Sequence, residues 1–311
     1  MITNMRPIEQ TRALVIGADG TIGAALARAW RQRGGVAIGT TRRATQAGGG
    51  DLVFLDLASA AENSAALPSS DVVFICAAMT KLDECRKNPD LVARINVDAP
   101  VAIAAQALKT GAKTVFLSTC AVFSGREPRV PADNIRDATS VYGRSKAEAE
   151  DRVLATGAGA TVVRLTKVLT PGMPLLSGWA QALSRGDEIV AFDDHRIAPL
   201  FIDTVVDALI DIGLCAADGT FQLSAARDVS YAEIARHIAT RCGVPPSLVQ
   251  GRGAESCGIP PAEILPYTSL DVTRATDHTG FVAPDPLDAV NAVMSDVAGR
   301  QTSSNDGRRS A

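Results

Sequence analysis

A tyrosine and a lysine stand four residues apart in the segment Tyr142-Gly143-Arg144-Ser145-Lys146. On a helix, side chains at positions i and i+4 share one face, so the phenol and the ammonium are expected to lie side by side. A phenol is a poor acid–base catalyst at neutral pH, whereas a neighbouring cation stabilises the phenolate and lowers its pKa. The spacing therefore predicts general acid–base chemistry, the alternative being a surface tyrosine beside a solvated lysine.

A hydroxyl group is expected close to this pair. The apolar segment 116–123 contains Ser118 and Thr119, where a buried strand should end. The carboxyl ends of parallel strands form the edge at which ligands bind in open α/β sheets. We expect Thr119 to hydrogen-bond a substrate carbonyl or alkoxide, with Ser118 as the next candidate.

Three glycines follow the first apolar run of the chain. Gly17, Gly20 and Gly23 form GxxGxxG between an expected strand and an expected helix. Such a turn lets the backbone approach a pyrophosphate, and the helix N-terminus supplies amide donors and a partial positive charge. This predicts a dinucleotide site that also includes Asp19, Thr21 and Ile22.

The end of the second expected strand indicates which dinucleotide binds. An NAD site normally carries an acid there for the ribose hydroxyl, but here Arg42 and Arg43 follow Thr41. Guanidinium groups suit a 2′-phosphate, so NADP(H) is favoured and NAD(H) remains possible. Further residues expected to contact the cofactor are Asp56, Leu57, Cys76, Ala77, Ala78 and Lys146, the last at the nicotinamide ribose.

Two periods alternate along the first half of the chain. Continuous apolar runs predict strands at Ala13–Ile16, Val36–Gly39, Leu52–Leu55, Val72–Cys76, Thr114–Ser118 and Thr161–Leu165. Amphipathic stretches between them predict helices, as at Ile22–Arg33, Leu91–Leu108 and Ser140–Ala155. The alternation predicts an α/β fold with a doubly wound parallel sheet of the Rossmann type.

The pattern changes after about residue 168. Fewer strands are expected beyond it, and Val229–Cys242 reads as a helix that begins with a capping box at Ser230 and Glu233. We expect a dinucleotide-binding domain over 1–167 and mainly a substrate-binding lobe over 168–299. Whether segments of this lobe return to the sheet is left open by the sequence. Residues 300–311 are polar and are expected to form a disordered tail.

Composition limits the classes of function. The chain has 311 residues, 46% of them hydrophobic, and a formal net charge of −3, which argues against nucleic acid and anionic membranes as partners. Six cysteines without CxxC spacing and three histidines without ligand spacing predict free thiols and no metal site. No apolar leader or membrane-spanning run is evident, so the cytoplasm is the expected location.

These motifs resemble the extended short-chain dehydrogenase/reductase superfamily, and within it the dTDP-4-dehydrorhamnose reductase branch. The resemblance covers roughly residues 12–295 and includes segments 77–85, 118–123, 194–199 and 268–271, with Pro89 and Asn96. It implies a catalytic triad of Thr119, Tyr142 and Lys146, with Asn96 supporting the lysine through a water or backbone contact. It also implies hydride transfer from NADPH to a nucleotide-linked 4-keto sugar, and a homodimer.

Departures from the family pattern bear on the substrate. Superfamily dehydratases place Asp-Glu after the threonine, whereas Cys120 and Ala121 stand here, so dehydration is disfavoured. The pair His195 and Arg196 either contacts the substrate in the cleft or lies in a surface loop. The remaining residues expected at the substrate are Thr80, Arg164 and Lys167.

Two other functions remain open. A nucleotide-sugar 4-epimerase with retained NAD(P) would use the same triad, although such enzymes usually keep the ribose-binding acid. A non-catalytic NADP-binding regulatory subunit, like that of methionine adenosyltransferase, resembles this fold as well. Cofactor binding without turnover would distinguish the regulatory subunit from a reductase.

Overall fold

A seven-stranded parallel sheet forms the centre of the computed structural model, which describes residues 5–43, 51–59 and 67–295. Its strand order is β11-β6-β5-β4-β1-β2-β3. The strands are β1 (Arg12–Ile16), β2 (Val36–Thr41), β3 (Leu52–Phe54), β4 (Val72–Ile75), β5 (Lys113–Thr119), β6 (Ala160–Leu165) and β11 (Gly219–Leu223). Each of the six predicted strands is present, and the predicted fold class is confirmed.

The strand order reverses its direction of growth at β1. The chain adds β2 and β3 on one side of β1 and then crosses to place β4, β5 and β6 on the other. Such a reversal opens a crevice at the carboxyl ends of the two central strands. The glycine turn follows β1 and residues 76–78 follow β4, so both segments border this crevice.

Helices cover both faces of the sheet. In chain order they are α1 (Thr21–Gln32), α2 (Leu82–Lys87), α3 (Pro89–Lys109), α4 (Val141–Leu154), α5 (Pro174–Ser184), α6 (Ile202–Leu214), α7 (Tyr231–Arg241), α8 (Thr273–Thr279) and a last helix from 286. One face packs α1 and α6 around Trp30, whose ring meets that of Phe74 edge-on at 5.5 Å between centroids. The other face packs α3 and α4, for example through Ile103 and Val153.

Helix α3 contains a π-helical turn at Ala93–Asp98. Within the described ranges, α3 alone has the length and apolar composition of a membrane-spanning helix. Its residues Val97, Ile103 and Ala107 are buried against the sheet, as in the core helix of a globular domain.

Three short strand pairs and three helices form a smaller lobe beside the sheet. The strands are β7 (Val168–Leu169), β8 (Ile189–Phe192), β9 (Arg196–Ile197), β10 (Leu200–Phe201), β12 (Val229–Ser230) and β13 (Val249–Arg252), paired as β7 with β10, β8 with β13, and β9 with β12. Leu183 of α5, Ile234 of α7 and Val290 of the last helix share its core. Ser230 is the N-cap of α7, and its Oγ accepts a hydrogen bond from the Glu233 amide at 3.0 Å, which is one half of the predicted capping box. The Glu233 carboxylate instead accepts from Arg227 Nη1 at 2.8 Å.

The chain crosses between the lobe and the sheet more than once after residue 168. Helix α6 packs its buried residues Val205 and Leu209 into the same core as Trp30. Strand β11 then extends the sheet, with Phe221 paired to Val163 of β6. Residues 202–223 thus belong to the sheet layer although they follow the first strands of the lobe.

Candidate active site

The chain turns sharply between β1 and α1. Gly17 has φ of 84°, in the left-handed region that glycine adopts most readily. A Cβ on Gly17 would lie 2.6 Å from the Cβ of Ala77, and one on Gly23 would lie 2.2 Å from the carbonyl oxygen of Gly17. Glycine is therefore required at both positions for strand, turn and helix to pack this closely.

The start of α1 fits an anionic ligand. Gly20 is the N-cap and has no side chain to accept a hydrogen bond from the first-turn amides, and the first turn holds no acid. Free amides and the positive end of the helix dipole suit a pyrophosphate. Thr21 is exposed and Ile22 half-buried in this first turn. Asp19 accepts a hydrogen bond from Thr41 Oγ1 at 3.0 Å, which ties the turn to β2.

Two arginines lie where β2 ends. The side chains of Arg42 and Arg43 are exposed, and Thr41 Oγ1 accepts the Arg43 amide at 3.0 Å. Their place beyond the carboxyl end of β2 suits the adenosine ribose of a dinucleotide. Asp56, after β3, is exposed and accepts the Ala58 amide at 3.0 Å, and Leu57 is half-buried beside it.

Small residues follow β4 directly beneath the glycine turn. The amides of Cys76 and Ala77 both donate to the carbonyl of Ile16, at 3.0 and 3.1 Å. Both residues and Ala78 are half-buried. The chain thereby leaves room above the crevice for a planar group, as a nicotinamide site requires.

Thr119 and Tyr142 meet at the carboxyl end of β5. Thr119 is the last residue of β5, and its Oγ1 accepts the Ala121 amide at 3.1 Å. The first turn of α4 presses onto the same segment, because a Cβ on Gly143 would lie 2.1 Å from the Ala121 carbonyl oxygen. Burial raises the pKa of the Tyr142 phenol, with Cys120 adding to the rise and a hydrogen bond with Thr119 opposing it.

Lys146 lies one turn further along α4, as the spacing predicted. Its side chain is only 1% exposed, and Nζ stands 3.7 Å from the centroid of the Phe116 ring. Burial lowers the pKa of this ammonium to about 7, while the charges of Glu150 and Cys76 act in the opposite direction. The group is therefore poised to change its charge near neutral pH.

Asn96 sits in the π-helical turn of α3 and is fully buried. Its Oδ1 accepts the Met79 amide at 2.8 Å, and its Nδ2 donates to the Met79 carbonyl at 3.0 Å and to Ser145 Oγ at 3.2 Å. These bonds hold the segment after β4 against the turn of α4 that carries Lys146. They run to Met79 and to the neighbour of Lys146, and none of them reaches the lysine.

Arg164 is not available to a substrate, contrary to the expectation from its place at the end of β6. Its side chain is 3% exposed, and Nε and Nη2 donate to Glu150 at 2.7 to 3.1 Å. Nη1 donates to the Ala132 carbonyl at 2.8 Å and to Gln222 Oε1 at 3.2 Å. The Ser118 hydroxyl is not available to a substrate either, since its Oγ donates a hydrogen bond to Glu150 Oε1 at 2.5 Å.

A cavity of about 340 Å³ opens in the smaller lobe. Its wall is mainly aromatic and aliphatic and includes Leu82, Leu175, Trp179, Phe192, His195 and Tyr231. The His195 ring lies 5.5 Å from that of Tyr231 and 6.4 Å from that of Phe192, between centroids. Its Nδ1 is buried and has no hydrogen-bond partner among the described residues.

The other residues expected at the substrate are exposed. Thr80 precedes α2, and Lys167 follows β6. Arg196 lies over the Tyr267 ring, with its guanidinium carbon 5.6 Å from the centroid. Burial lowers the pKa of His195. The charge of Asp194 opposes this shift, and that of Lys167 adds to it, so the imidazole is mainly neutral at pH 7.

Four residues near the site were not predicted from the sequence. Gly143 sets the approach of α4 to β5, and its position inside the YxxxK spacing was the available signal. Glu150 anchors Arg164 and Ser118, and its signal was an acid one turn after Lys146 in an otherwise buried helix face. The aromatic residues Phe192 and Tyr231 carry no spacing that would join them before folding.

Residues 11–298 match the family described as RmlD substrate binding domain. The chain belongs to this family. The match spans nearly all of the described residues, so the predicted extended short-chain dehydrogenase/reductase of the RmlD-like branch is confirmed.

Curated relatives of this RmlD-family chain include enzymes and a regulatory subunit. A probable low-salt glycan biosynthesis reductase of Haloferax volcanii is 26% identical over 92% of this chain and 99% of its own. The dTDP-4-dehydrorhamnose reductase of Mycobacterium tuberculosis is 28% identical over 68% of each chain. Bovine methionine adenosyltransferase 2 subunit beta is 28% identical over 60% of this chain and 53% of its own.

Solved structures share the fold at lower identity. A dTDP-4-dehydrorhamnose reductase of Bacillus anthracis, in complex with NADP, has a TM-score of 0.75 and 20% identity and covers 91% of this chain and 98% of its own. MoeE5 in complex with UDP-glucose and NAD has a TM-score of 0.74 and 22% identity and covers 93% and 99%. Both agree with the Rossmann sheet and smaller lobe of this RmlD-family chain.

Proposed function

We propose that the chain reduces the 4-keto group of a nucleotide-linked sugar with NADPH. The observation that carries this is the contact between Thr119 and Tyr142 at the carboxyl end of β5, with Lys146 buried one helical turn beyond Tyr142. Strand β5 lies beside β4, which borders the crevice at the glycine turn. The comparisons agree with a nucleotide-sugar oxidoreductase that uses a nicotinamide cofactor.

The residues of the crevice fit the cofactor. Close packing at Gly17 and Gly23 and the uncapped start of α1 provide a cradle for the pyrophosphate. Arg42 and Arg43 would pair with a 2′-phosphate, and Lys146 would reach the nicotinamide ribose. NADPH, when bound, supplies a hydride to the carbonyl carbon.

The proton comes from Tyr142. Burial raises the pKa of its phenol, so the group is protonated at neutral pH and can give its proton to the new alkoxide. The charged form of Lys146 stabilises the phenolate that remains. Thr119 orients the carbonyl by donating a hydrogen bond to its oxygen, and this bond strengthens as negative charge develops there.

The smaller lobe would hold the rest of the substrate. The cavity beside His195 offers mainly aromatic and aliphatic walls, which suit a ring with few polar groups. Thr80, Lys167 and Arg196 are exposed and would meet the phosphates or the sugar hydroxyls. Residues 1–167 would then serve mainly the dinucleotide and 168–299 mainly the sugar, in a cytoplasmic homodimer.

The test is consumption of NADPH by the purified protein with a panel of nucleotide-linked 4-keto sugars, with NADH in parallel. We expect substrate-dependent loss of NADPH absorbance and a slower reaction with NADH. Tight NADPH binding without consumption would contradict the reductase. Exchange of the C4 configuration in a nucleotide sugar would then indicate an epimerase with retained cofactor, and its absence a regulatory subunit.

A further inference from the structure

A buried carboxylate lies one helical turn beyond Lys146. Glu150 is fully buried on the same face of α4. Its Oε1 accepts Ser118 Oγ at 2.5 Å and Arg164 Nε at 3.0 Å. Its Oε2 accepts Arg164 Nη2 at 2.7 Å and Arg136 Nη1 at 3.2 Å. The carboxylate is thus fixed by three neighbours, which lie on β5, on β6 and in the loop before α4.

Arg164 and Arg136 each form a salt bridge with the buried Glu150 carboxylate. Arg164 also donates to the Ala132 carbonyl and to Gln222. Removing one partner of a buried ion pair is strongly destabilising, because it leaves the other charge unpaired, so these groups hold one another in place.

Lys146 has no comparable support. No described residue accepts a hydrogen bond from its ammonium, and the Phe116 ring is its nearest stabilising contact. The groups that act on it are Glu150 on α4, Cys76 at the end of β4 and the Phe116 ring on β5. Glu150 is the one carboxylate among them, and burial raises the pKa of the Cys76 thiol to about 12, so the thiol is neutral at pH 7.

We propose that Glu150 is a positioning residue that keeps Lys146 in its charged form. Arg164 and Ser118 fix the position of the Glu150 carboxylate. The i,i+4 spacing on α4 places this carboxylate on the same helix face as the Lys146 side chain. The role of Glu150 in catalysis rests on the proposed reductase chemistry, in which Lys146 must be a cation to stabilise the phenolate of Tyr142. When the carboxylate charge is removed, the pKa of Lys146 should fall, so that the lysine loses its proton at a lower pH.

The direct test follows the Lys146 side chain by NMR in protein labelled with 13C-lysine, without substrate. The Lys146 signal is assigned by its loss in Lys146→Met. In the wild-type protein we expect it to titrate near pH 7. In Glu150→Gln, which keeps the shape and the acceptor for Ser118, we expect the midpoint to move down by about one pH unit. An unchanged midpoint would overturn the proposal, whatever the protein catalyses.

Two further variants distinguish the loss of the Glu150 charge from a general disturbance of the buried network. Glu148→Gln removes a carboxylate from the same helix, but the Glu148 side chain is 61% exposed, so the Lys146 midpoint should stay at its wild-type value. Glu150→Gln combined with Arg164→Met removes both charges of the buried pair. We expect the downward shift to persist in this double variant. Return of the midpoint to the wild-type value would show that unpaired Arg164 causes the shift, and the proposal would fail.

Turnover gives an independent readout. If the reductase function holds, Glu150→Gln should lower kcat about tenfold at alkaline pH, leave KM for the sugar unchanged, and move the alkaline limb of the pH profile to lower pH. A uniform loss of kcat at every pH would indicate a merely structural role. Absence of turnover in the wild-type protein would contradict the reductase alone, because the NMR midpoint is measured without substrate.

Discussion

Burial moves the two ionisable groups of the candidate site in opposite directions. It raises the pKa of Tyr142 and lowers that of Lys146 to about 7. The phenol therefore holds its proton across the neutral range, as a proton donor must. The lysine loses its charge as pH rises through about 7, so its support of the phenolate weakens on the alkaline side.

Tyr142→Phe tests the proton donor. The change removes one hydroxyl from a half-buried ring and leaves the glycine turn and Lys146 in place. Turnover should fall by at least about a hundredfold, because general acid catalysis is lost, while the affinity for NADPH stays nearly unchanged. Steady-state kinetics and a fluorescence titration with NADPH measure the two effects. Wild-type turnover would remove Tyr142 from the mechanism.

Arg42→Ala together with Arg43→Ala tests the choice of cofactor. Loss of two exposed guanidinium groups should raise KM for NADPH about tenfold or more and change KM for NADH little, because only NADPH carries the 2′-phosphate. Arg28→Ala, an exposed arginine of α1, serves as the control. Equal effects on both cofactors would place the arginines outside the phosphate site.

The triad and the glycine turn were predictable because their chemistry depends on short spacings within one turn or one helix. Arg164 was not, because its end-of-strand position suits either a ligand or a buried pair. The partner that decides the matter, Glu150, lies 14 residues away on another element. Phe192 and Tyr231 become neighbours through strand pairing in the lobe, which no local pattern encodes.

At the scale of elements, close backbone contacts decide how the site is assembled. The first turn of α4 rests on the Ala121 carbonyl at Gly143, and α1 rests on the Gly17 carbonyl at Gly23. The strands of the sheet were predicted well because they are continuous apolar runs. Strand β11 was missed, since Gln222 interrupts its apolar run. This polar residue is buried, and it bonds Arg164 and the carbonyls of Val130 and Asp271.

Gly143→Ala tests the contact between α4 and β5. The added methyl group meets backbone, so the helix must shift and Tyr142 moves from Thr119. We expect a loss of about 1–3 kcal/mol in the free energy of unfolding and at least about a tenfold fall in kcat. Gly178→Ala in α5 meets open space and should leave both unchanged or raise stability slightly. Similar behaviour of the two variants would contradict this account.

At the scale of the whole molecule, the two parts of the chain share a core. Val205, Leu209 and Phe221 come after the first strands of the lobe, yet they pack with Ala13, Trp30 and Phe74 beneath the sheet. The sheet face that carries α1 is therefore covered only when residues 202–223 are present. We therefore expect that the boundary predicted at residue 167 does not delimit an independent folding unit.

A fragment of residues 1–167 should consequently not fold. It exposes the sheet face that α6 covers, including Phe74, which is fully buried in the intact chain. We expect no cooperative thermal transition by circular dichroism and no NADPH binding, with the full chain as the control. A cooperative transition together with NADPH affinity in the fragment would contradict the shared core.

The chain contains two tryptophans, and the structure places them in different surroundings. Trp30 is fully enclosed against Phe74, whereas Trp179 is half-buried on the wall of the lobe cavity. Trp30 should thus give a blue-shifted emission that reports unfolding. Trp179 should emit at longer wavelength, and its quenching should report occupancy of the cavity. With Trp179→Phe and Trp30→Phe as references, sugar-nucleotide binding and global unfolding become separately visible in the unlabelled protein.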